Sequence, residues 1–189
     1  MKKLLVSITI LCSLAISSMF SQTKVGDAVL PNSIKLEEQS LVLNGAGIRE
    51  KLWFDLYACG LYLPNKSVDA SNIVDADELM SIKLHILSSM VSKKKLIEAL
   101  RKGIDETNKV SDVMPLKSKI NVFLSLIKND IEIDNVYDIV YFPNKGITVF
   151  ENNKDVGSIE GLDFKRILFN IWLAKSPVDS DLKQKMLGE

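Results

Sequence analysis

The feature that most constrains the fold is a strict alternation of apolar and polar residues from Met80 to Ile86. Met, Ile, Leu and Ile occupy the even positions, whereas Ser, Lys and His occupy the odd ones. A period of two is the repeat of a β-strand, because successive side chains of a strand point to opposite faces. The segment therefore predicts a strand in a sheet that has one buried face.

Further strand-like segments lie on both sides of this strand. After a polar lead at 23–32, residues 33–43 predict a strand, and the aromatic-rich run 48–63 predicts one long strand, bent at Gly60, or a pair of strands. Between them, Asn44-Gly45-Ala46-Gly47 predicts a tight turn, since glycine permits the positive φ that turns require. Later strands are predicted at 131–133, 136–142, 147–150 and 156–159.

Apolar residues at helical spacing predict four helices. Leu96, Leu100 and Ile104 share one face of the first, and the second follows Pro115. The third helix begins after Gly161, and the sequence 176–179, with a serine cap, a proline and an early acid, predicts the start of the fourth. Strands, two helices, strands and two more helices indicate an α+β fold with an antiparallel sheet, rather than a βαβ repeat.

The N-terminus has the layout of a secretory signal peptide over residues 1–21. Lys2 and Lys3 precede the apolar stretch 4–16, and small residues up to Ser21 offer a cleavage site. The alternative is a membrane anchor, but the apolar stretch falls short of the ~20 residues that span a bilayer. We expect an exported protein, periplasmic or secreted, with no stable membrane span after cleavage.

The remaining residues, 22–189, suit one domain without a dividing linker. Removing Lys2 and Lys3 from the balanced 24 basic and 24 acidic residues leaves 22 basic and 24 acidic ones. This composition does not favour a nucleic-acid partner, which calls for a basic surplus. Cys59 is then the single cysteine, so the domain must be stable without an internal disulfide.

Few residues could support metal or nucleophilic chemistry. His85 is the one histidine, and together with Cys59 it falls short of the four ligands of a structural zinc site. No serine lies in a Gly-x-Ser-x-Gly elbow, and the glycines at 45 and 47 lack the rest of a phosphate-binding pattern. We therefore expect no metal site.

Arg49, Tyr57 and Tyr62 form the one constellation that suggests binding. An arginine presents a planar fork that matches a carboxylate, and a tyrosine hydroxyl adds a donor from an apolar wall. In a pocket, these groups would bind a molecule with an acidic head and an apolar body. The alternative is that Arg49 is an exposed residue at a strand end and that the tyrosines belong to the core or its rim.

Several segments at characteristic separations resemble the chalcone isomerase-like family, most closely its exported bacterial branch. The N-terminal signature is NGAGIR at 44–49 followed by YACGLYL at 57–63. The paired strands of 138–150 and the closing helices, with FNIWL at 169–173 and the stretch 176–188, resemble the C-terminal half of the family. The resemblance covers nearly all of residues 33–188.

The resemblance implies a large antiparallel sheet with helices packed on one face and a cleft between them. It also implies one of two functions. Plant enzymes of the family close a chalcone to a flavanone without a cofactor, and non-enzymatic relatives bind fatty acids through an arginine and a tyrosine. Arg49 matches the family arginine, and Tyr57 stands where the enzymes have a threonine that orients a water.

On the helix of the enzyme site, the resemblance aligns Ser92, Lys95 and Ala99 with a tyrosine, a lysine and an asparagine, so only the lysine is retained. We therefore predict a protein without a cofactor that binds a fatty acid or a similar amphipathic anion without catalysis, with the acid group held by Arg49 together with Tyr57 or Tyr62. One alternative is an intramolecular lyase acting on a chalcone-like molecule, with Arg49 and Lys95 as catalytic residues. Another is a structural or partner-binding envelope protein with a filled cleft.

Overall fold

The computed structural model describes residues 21–189, so the predicted signal peptide lies outside the described residues except for Ser21. The described strands are β1 (Gln22–Val25), β2 (Ala28–Pro31), β3 (Ser33–Leu36), β4 (Gln39–Lys51), β5 (Phe54–Leu63), β6 (Met80–Ile86), β7 (Val136–Phe142), β8 (Gly146–Glu151) and β9 (Lys154–Ile159). The helices are α1 (Ala70–Asp75), α2 (Lys93–Thr107), α3 (Val110–Val113), α4 (Lys117–Ser125), α5 (Leu162–Leu173) and α6 (Ser180–Leu187), with a 3-10 turn at Met114–Leu116.

Strands β3 to β9 form one seven-stranded sheet in chain order. Each strand is antiparallel to its neighbours, and β1 and β2 pair separately as a hairpin. This topology confirms the predicted α+β class with a large antiparallel sheet. The hairpin replaces the polar lead expected at 23–32, and its Leu30 packs in a small cluster with Ala58 of β5.

The helices cover one face of the sheet, as the resemblance implied. The apolar residues of β6, which alternate along the strand, are all buried in the main core together with side chains of α2, α4, α5 and α6. The apolar stripe of α2 is confirmed in the same way, because Leu96, Leu100 and Ile104 are buried there. The alternation therefore places one side of β5 and β6 beneath the helices and the other side away from them.

The segment 44–47 is part of strand β4 and not the turn that its glycines predict. The strand passes through it with a bulge between Leu43 and Gly45, and the turn lies further on, at Leu52 and Trp53. The glycines allow helix α6 to lie directly on the strand. A Cβ atom on Gly45 would stand 2.2 Å from the carbonyl oxygen of Lys185, and one on Gly47 would stand 2.9 Å from the Lys185 Cβ.

Two smaller expectations are also corrected. The fourth predicted helix begins at Ser180 and not near Ser176, because the side chain of Asp179 accepts a hydrogen bond from the Leu182 N–H and caps it. Residues 131–133 form no strand. The correction at Asp179 matters for the site, because the loop before α6 brings this carboxylate to strand β4.

Candidate functional site

A pocket of about 710 Å³ opens between helix α2 and the end of the β4–β5 strand pair. Its volume lies within the roughly 300–1,000 Å³ range of small-molecule sites. Its apolar wall comprises Leu56, Val91, Leu96, Leu100, Ile171 and Val178. Its charged rim comprises Lys51, Lys95, Glu98, Lys102 and Glu106. The pocket therefore combines an apolar interior with a mouth of mixed charge.

Arg49 and Tyr57 line this pocket together. They are direct partners in the register between β4 and β5, so their side chains leave the sheet on the same face. The register shifts between Arg49 and Glu50, where β5 contains one extra residue. Leu56 and Tyr57 both line the pocket at this bulge, consistent with the ability of a bulge to redirect a side chain.

Arg49 is held by a carboxylate from the loop that precedes α6. Its Nη1 donates to Asp179 Oδ2 over 2.8 Å and to the carbonyl oxygen of Glu50 over 3.0 Å. The side chains of Arg49 and Asp179 are 25% and 15% exposed, so the ion pair is only partly open to water. Asp179 is therefore both the cap of α6 and the counterion of the arginine in the pocket.

Tyr57 faces the pocket as a neutral phenol. Its hydroxyl oxygen accepts a hydrogen bond from Trp172 Nε1 over 3.3 Å. Burial raises the pKa of Tyr57 well above its ordinary value, while the Trp172 hydrogen bond and the charge of Arg49 act in the opposite direction. The hydroxyl thus keeps its own proton, and it can donate that proton to an oxygen in the pocket.

Lys95 lies on the exposed rim of the pocket. Its Nζ donates to the carbonyl oxygen of Met90 over 3.1 Å. Ser92 is the N-cap of α2, where its hydroxyl accepts from the Lys95 N–H over 3.4 Å, and it is not part of the pocket wall. Ala99 does line the pocket but presents only a methyl group. The helix therefore contributes one amine and no hydroxyl or amide at these three positions.

Tyr62 lies on the opposite face of the sheet from Arg49 and Tyr57. It is fully buried, packs with Leu41 and Val140, and its hydroxyl donates to the carbonyl oxygen of Pro31 over 2.9 Å. The structure thus brings together Arg49, Tyr57 and Lys95 of the predicted site residues, and it does not bring Tyr62 to them.

A second pocket, of about 700 Å³, lies among α1, α3 and α5 and contains none of the predicted site residues. Its amides are already engaged with one another, because the Asn170 side chain donates to Asn108 Oδ1 over 2.8 Å. Arg166 on its wall pairs with Asp75 over 2.9 Å. The pocket beside α2 is the better candidate for a ligand site, because it combines an apolar wall with Arg49 and Tyr57.

Residues 21–189 contain no cluster of three or more His, Cys, Asp or Glu side chains arranged for a metal ion. Cys59 is buried beneath the helices, and burial raises the pKa of its thiol. A helix able to cross a bilayer is likewise absent from residues 21–189.

Asp179 and Trp172 are the site residues that the sequence did not reveal. Trp172 was noted only within the family-like stretch 169–173, and Asp179 only as an early acid of the last helix. A local signal for Asp179 did exist, since an aspartate is a strong N-cap for a helix starting at Ser180. Their contacts with Tyr57 and Arg49 cross 115 and 130 positions of sequence, which no local pattern encodes.

Together, the fold and the site define an α+β protein in which helices on one face of an antiparallel sheet enclose an apolar pocket with an arginine and a tyrosine. The family model described as chalcone isomerase-like matches residues 22–188. The chain therefore belongs to the chalcone isomerase-like family.

A solved structure with a similar fold is that of a fatty-acid binding protein from Arabidopsis thaliana. The two chains superpose with a TM-score of 0.71 at 20% sequence identity, over 85% of this chain and 91% of the plant chain. At this identity, the similarity shows a shared fold. No curated protein matches the chain in sequence.

Proposed function

We propose that this protein binds a fatty acid or a similar amphipathic anion in the pocket beside α2, and that it does so without catalysis. The observation that carries the proposal is the position of Arg49 and Tyr57. They are cross-strand neighbours in an apolar pocket of about 710 Å³. The acid group would bind the arginine and the tyrosine hydroxyl, and the hydrocarbon chain would lie against the apolar wall.

Arg49 retains donors for such a ligand although it is paired with Asp179. Within the described residues, its hydrogen bonds leave from Nη1 alone, to Asp179 and to the Glu50 carbonyl. A guanidinium has five N–H donors, so Nη2 and Nε remain for a second carboxylate. The neutral hydroxyl of Tyr57 would supply a further donor to it.

The residues of helix α2 favour binding over catalysis. Ring closure of a chalcone-like molecule requires groups that stabilise an anion and move a proton. Ser92 is engaged as a helix cap, Ala99 has no polar atom, and the Lys95 amine is hydrogen-bonded to a backbone carbonyl at the rim. The structurally similar Arabidopsis protein is a fatty-acid binding protein, which supports the same choice.

The direct test is to compare ligands that share a tail and differ in the head. Purified protein is titrated by calorimetry with hexadecanoate and with hexadecanol. We expect hexadecanoate to bind at least about 10-fold more tightly, because only its head is an anion. Equal binding of the two would contradict the acid-head assignment, and no binding of either would contradict the proposal as a whole.

An intramolecular lyase is the second candidate, because Arg49 and Lys95 line the same pocket and the matching family model is described as chalcone isomerase-like. Arg49 would stabilise the phenolate and Lys95 would assist. The test follows the loss of chalcone absorbance with and without protein. A rate well above the spontaneous one, lost in Arg49→Met, would favour this candidate over binding alone.

The third candidate, a structural or partner-binding envelope protein, called for a filled cleft. The pocket beside α2 is open, which favours a ligand over that role.

We also propose that residues 1–21 direct export and are removed, which leaves residues 22–189 in the periplasm or outside the cell. The support is the pattern of Lys2, Lys3 and the apolar stretch 4–16. Mass spectrometry of the protein from fractionated cells tests this. A mature chain that begins at Gln22 is expected, and an uncleaved chain in the cytoplasmic fraction would contradict it.

A further inference from the structure

The tip of the β4–β5 hairpin exposes three consecutive large apolar side chains. Leu52 is 76% exposed, Trp53 98% and Phe54 51%. Apolar residues scattered singly over a surface need no explanation, but a contiguous group at a projecting tip marks an interaction site. No packing within the described chain accounts for Trp53, because almost its whole side chain faces solvent.

The backbone of this turn is unfavourable for the residues that occupy it. Leu52 and Trp53 have φ values of 50° and 70°. A two-residue hairpin turn with positive φ at both positions is the type that favours Asn-Gly, and bulky side chains in that region are strained. The backbone is therefore strained at Leu52 and Trp53, two positions at which the hairpin exposes a large apolar side chain.

Charge is distributed unequally around the tip. Lys51 lines the pocket beside Leu52, and Lys95 lines it from α2. Neither lysine forms an ion pair with a described residue, whereas the rim acids Glu98 and Glu106 pair with lysines one helical turn earlier. The acids of the hairpin, Glu50 and Asp55, are cross-strand partners of each other, next to the pair Lys51 and Phe54. Because successive side chains of a strand point to opposite faces, these two acids point away from the face of Lys51.

The tip fits a lipid surface better than a protein. A stable protein interface buries about 800 Å² on each partner, and each aromatic side chain contributes only about 150–250 Å². Three side chains on a narrow turn fall short of that area. A tryptophan and aliphatic groups next to unpaired lysines, by contrast, are the composition of elements that lie in the interface of an anionic bilayer.

We propose that Leu52, Trp53 and Phe54 insert into the surface of an anionic lipid membrane, with Lys51 and Lys95 at the level of the headgroups. Because Leu52 and Lys51 also line the pocket, docking turns the pocket mouth towards the lipid. An amphipathic molecule can then pass between membrane and pocket without crossing bulk water. The docking surface consists of the hairpin tip and Lys95 of α2, and it does not depend on which ligand the pocket takes.

The experiment uses the purified mature protein without fatty acid, so its outcome is independent of the proposed ligand. Vesicles of phosphatidylcholine, alone or mixed with phosphatidylglycerol, are added while tryptophan fluorescence is followed. Trp172 is only 1% exposed, so an aqueous quencher such as iodide reports on Trp53. We expect the anionic vesicles to shift the emission to the blue and to protect Trp53 from iodide.

The variant Leu52→Asn/Trp53→Gly separates docking from folding, because it installs the pair that this turn prefers. Its midpoint of urea unfolding should equal or exceed that of the wild type, while sedimentation with anionic vesicles should weaken at least ~10-fold. Val110→Asn is the matched control, since Val110 is 73% exposed but lies on α3, and it should sediment as the wild type does.

Three results would overturn the docking surface. The double variant could sediment with vesicles as well as the wild type, or Trp53 could stay open to iodide when vesicles are in excess. Alternatively, Trp53 could become protected at high protein concentration without lipid, which would identify a second copy of the chain as the occupant. Stronger binding to neutral than to anionic vesicles would contradict the proposed contact of Lys51 and Lys95 with anionic headgroups.

Discussion

Arg49 and Asp179 are 130 positions apart in sequence and form an ion pair of 2.8 Å beside the pocket. The other oxygen of Asp179 accepts the Leu182 N–H over 3.0 Å and caps helix α6. One carboxylate thus fixes the start of a helix and balances the charge of the arginine that we propose as the ligand anchor. An incoming acid group meets a guanidinium that is already oriented but already partly neutralised.

Removing the charge of Asp179 should strengthen binding of an anion. In Asp179→Asn, the amide oxygen still caps α6, because Asn and Asp are comparable N-caps, but the competing negative charge is gone. We expect hexadecanoate to bind about 2- to 5-fold more tightly, with stability changed by no more than about 1 kcal/mol. Calorimetric titration and urea unfolding measure the two effects.

Asp163→Asn is the matched control, since Asp163 pairs with Lys119 over 3.1 Å at the start of α5 and does not line the pocket. It should leave the affinity unchanged. Weaker binding in Asp179→Asn than in the wild type would show that Asp179 supports the ligand rather than competing with it.

The hydroxyl of Tyr57 should contribute to affinity, and that of Tyr62 should not. Tyr57→Phe removes one neutral donor and should weaken hexadecanoate binding about 2- to 10-fold. Tyr62→Phe removes the bond to the Pro31 carbonyl on the opposite face and should change stability only. Because burial raises the pKa of Tyr57, the contribution of its hydroxyl should persist at pH 9 as at pH 7. Equal losses of hexadecanoate affinity in Tyr57→Phe and Tyr62→Phe would contradict the placement of Tyr57 in the pocket and of Tyr62 on the opposite face of the sheet.

Filling the pocket should weaken hexadecanoate binding strongly without unfolding the protein. Ala99 is exposed on α2 and lines the pocket, so the indole of Ala99→Trp would occupy ligand space. Asp105→Trp introduces the same side chain at an exposed position of α2 outside the pocket wall. We expect at least a ~10-fold loss of hexadecanoate affinity in the first variant alone. Retained binding in Ala99→Trp would place the ligand elsewhere.

A methyl group on Gly45 should separate α6 from β4. Its Cβ would stand 2.2 Å from the carbonyl oxygen of Lys185, a backbone atom that cannot move without displacing the helix. We expect Gly45→Ala to lower the free energy of unfolding by about 2 kcal/mol or more. Ser40→Ala, exposed at the start of β4, should change it by less than about 0.5 kcal/mol. Urea unfolding measures the free energy of both variants. An equally small change in the two would show that the strand tolerates a methyl group at position 45 and would contradict the close packing of α6.

The sequence predicted the fold well where the signal is local. The alternation of β6 and the apolar stripe of α2 each depend on neighbouring residues, and both elements are found where expected. The prediction of a turn at 44–47 was wrong, because Gly45 and Gly47 instead leave room for helix α6, about 140 positions away, to pack on the strand. The true turn, at Leu52 and Trp53, contains no residue that favours a turn.

The site was predictable only in part for the same reason. Arg49 and Tyr57 were identified from their residue types and from the family resemblance, and strand pairing brings them together. Their partners Asp179 and Trp172 come from distant helices, which periodicity cannot pair. Tyr62, in contrast, could have been separated in advance, because an odd spacing of five along one strand sends it and Tyr57 to opposite faces.

The anchoring role of Arg49 is the central claim, and a variant that keeps the volume of the side chain tests it most directly. Arg49→Met alone would leave Asp179 without its partner, so the comparison is made in the Asp179→Asn background, where neither protein has an unpaired carboxylate at this site. Calorimetric titration with hexadecanoate should show at least about 10-fold weaker binding in Arg49→Met/Asp179→Asn than in Asp179→Asn. Equal affinity in the two proteins would contradict the assignment of Arg49 as the ligand anchor.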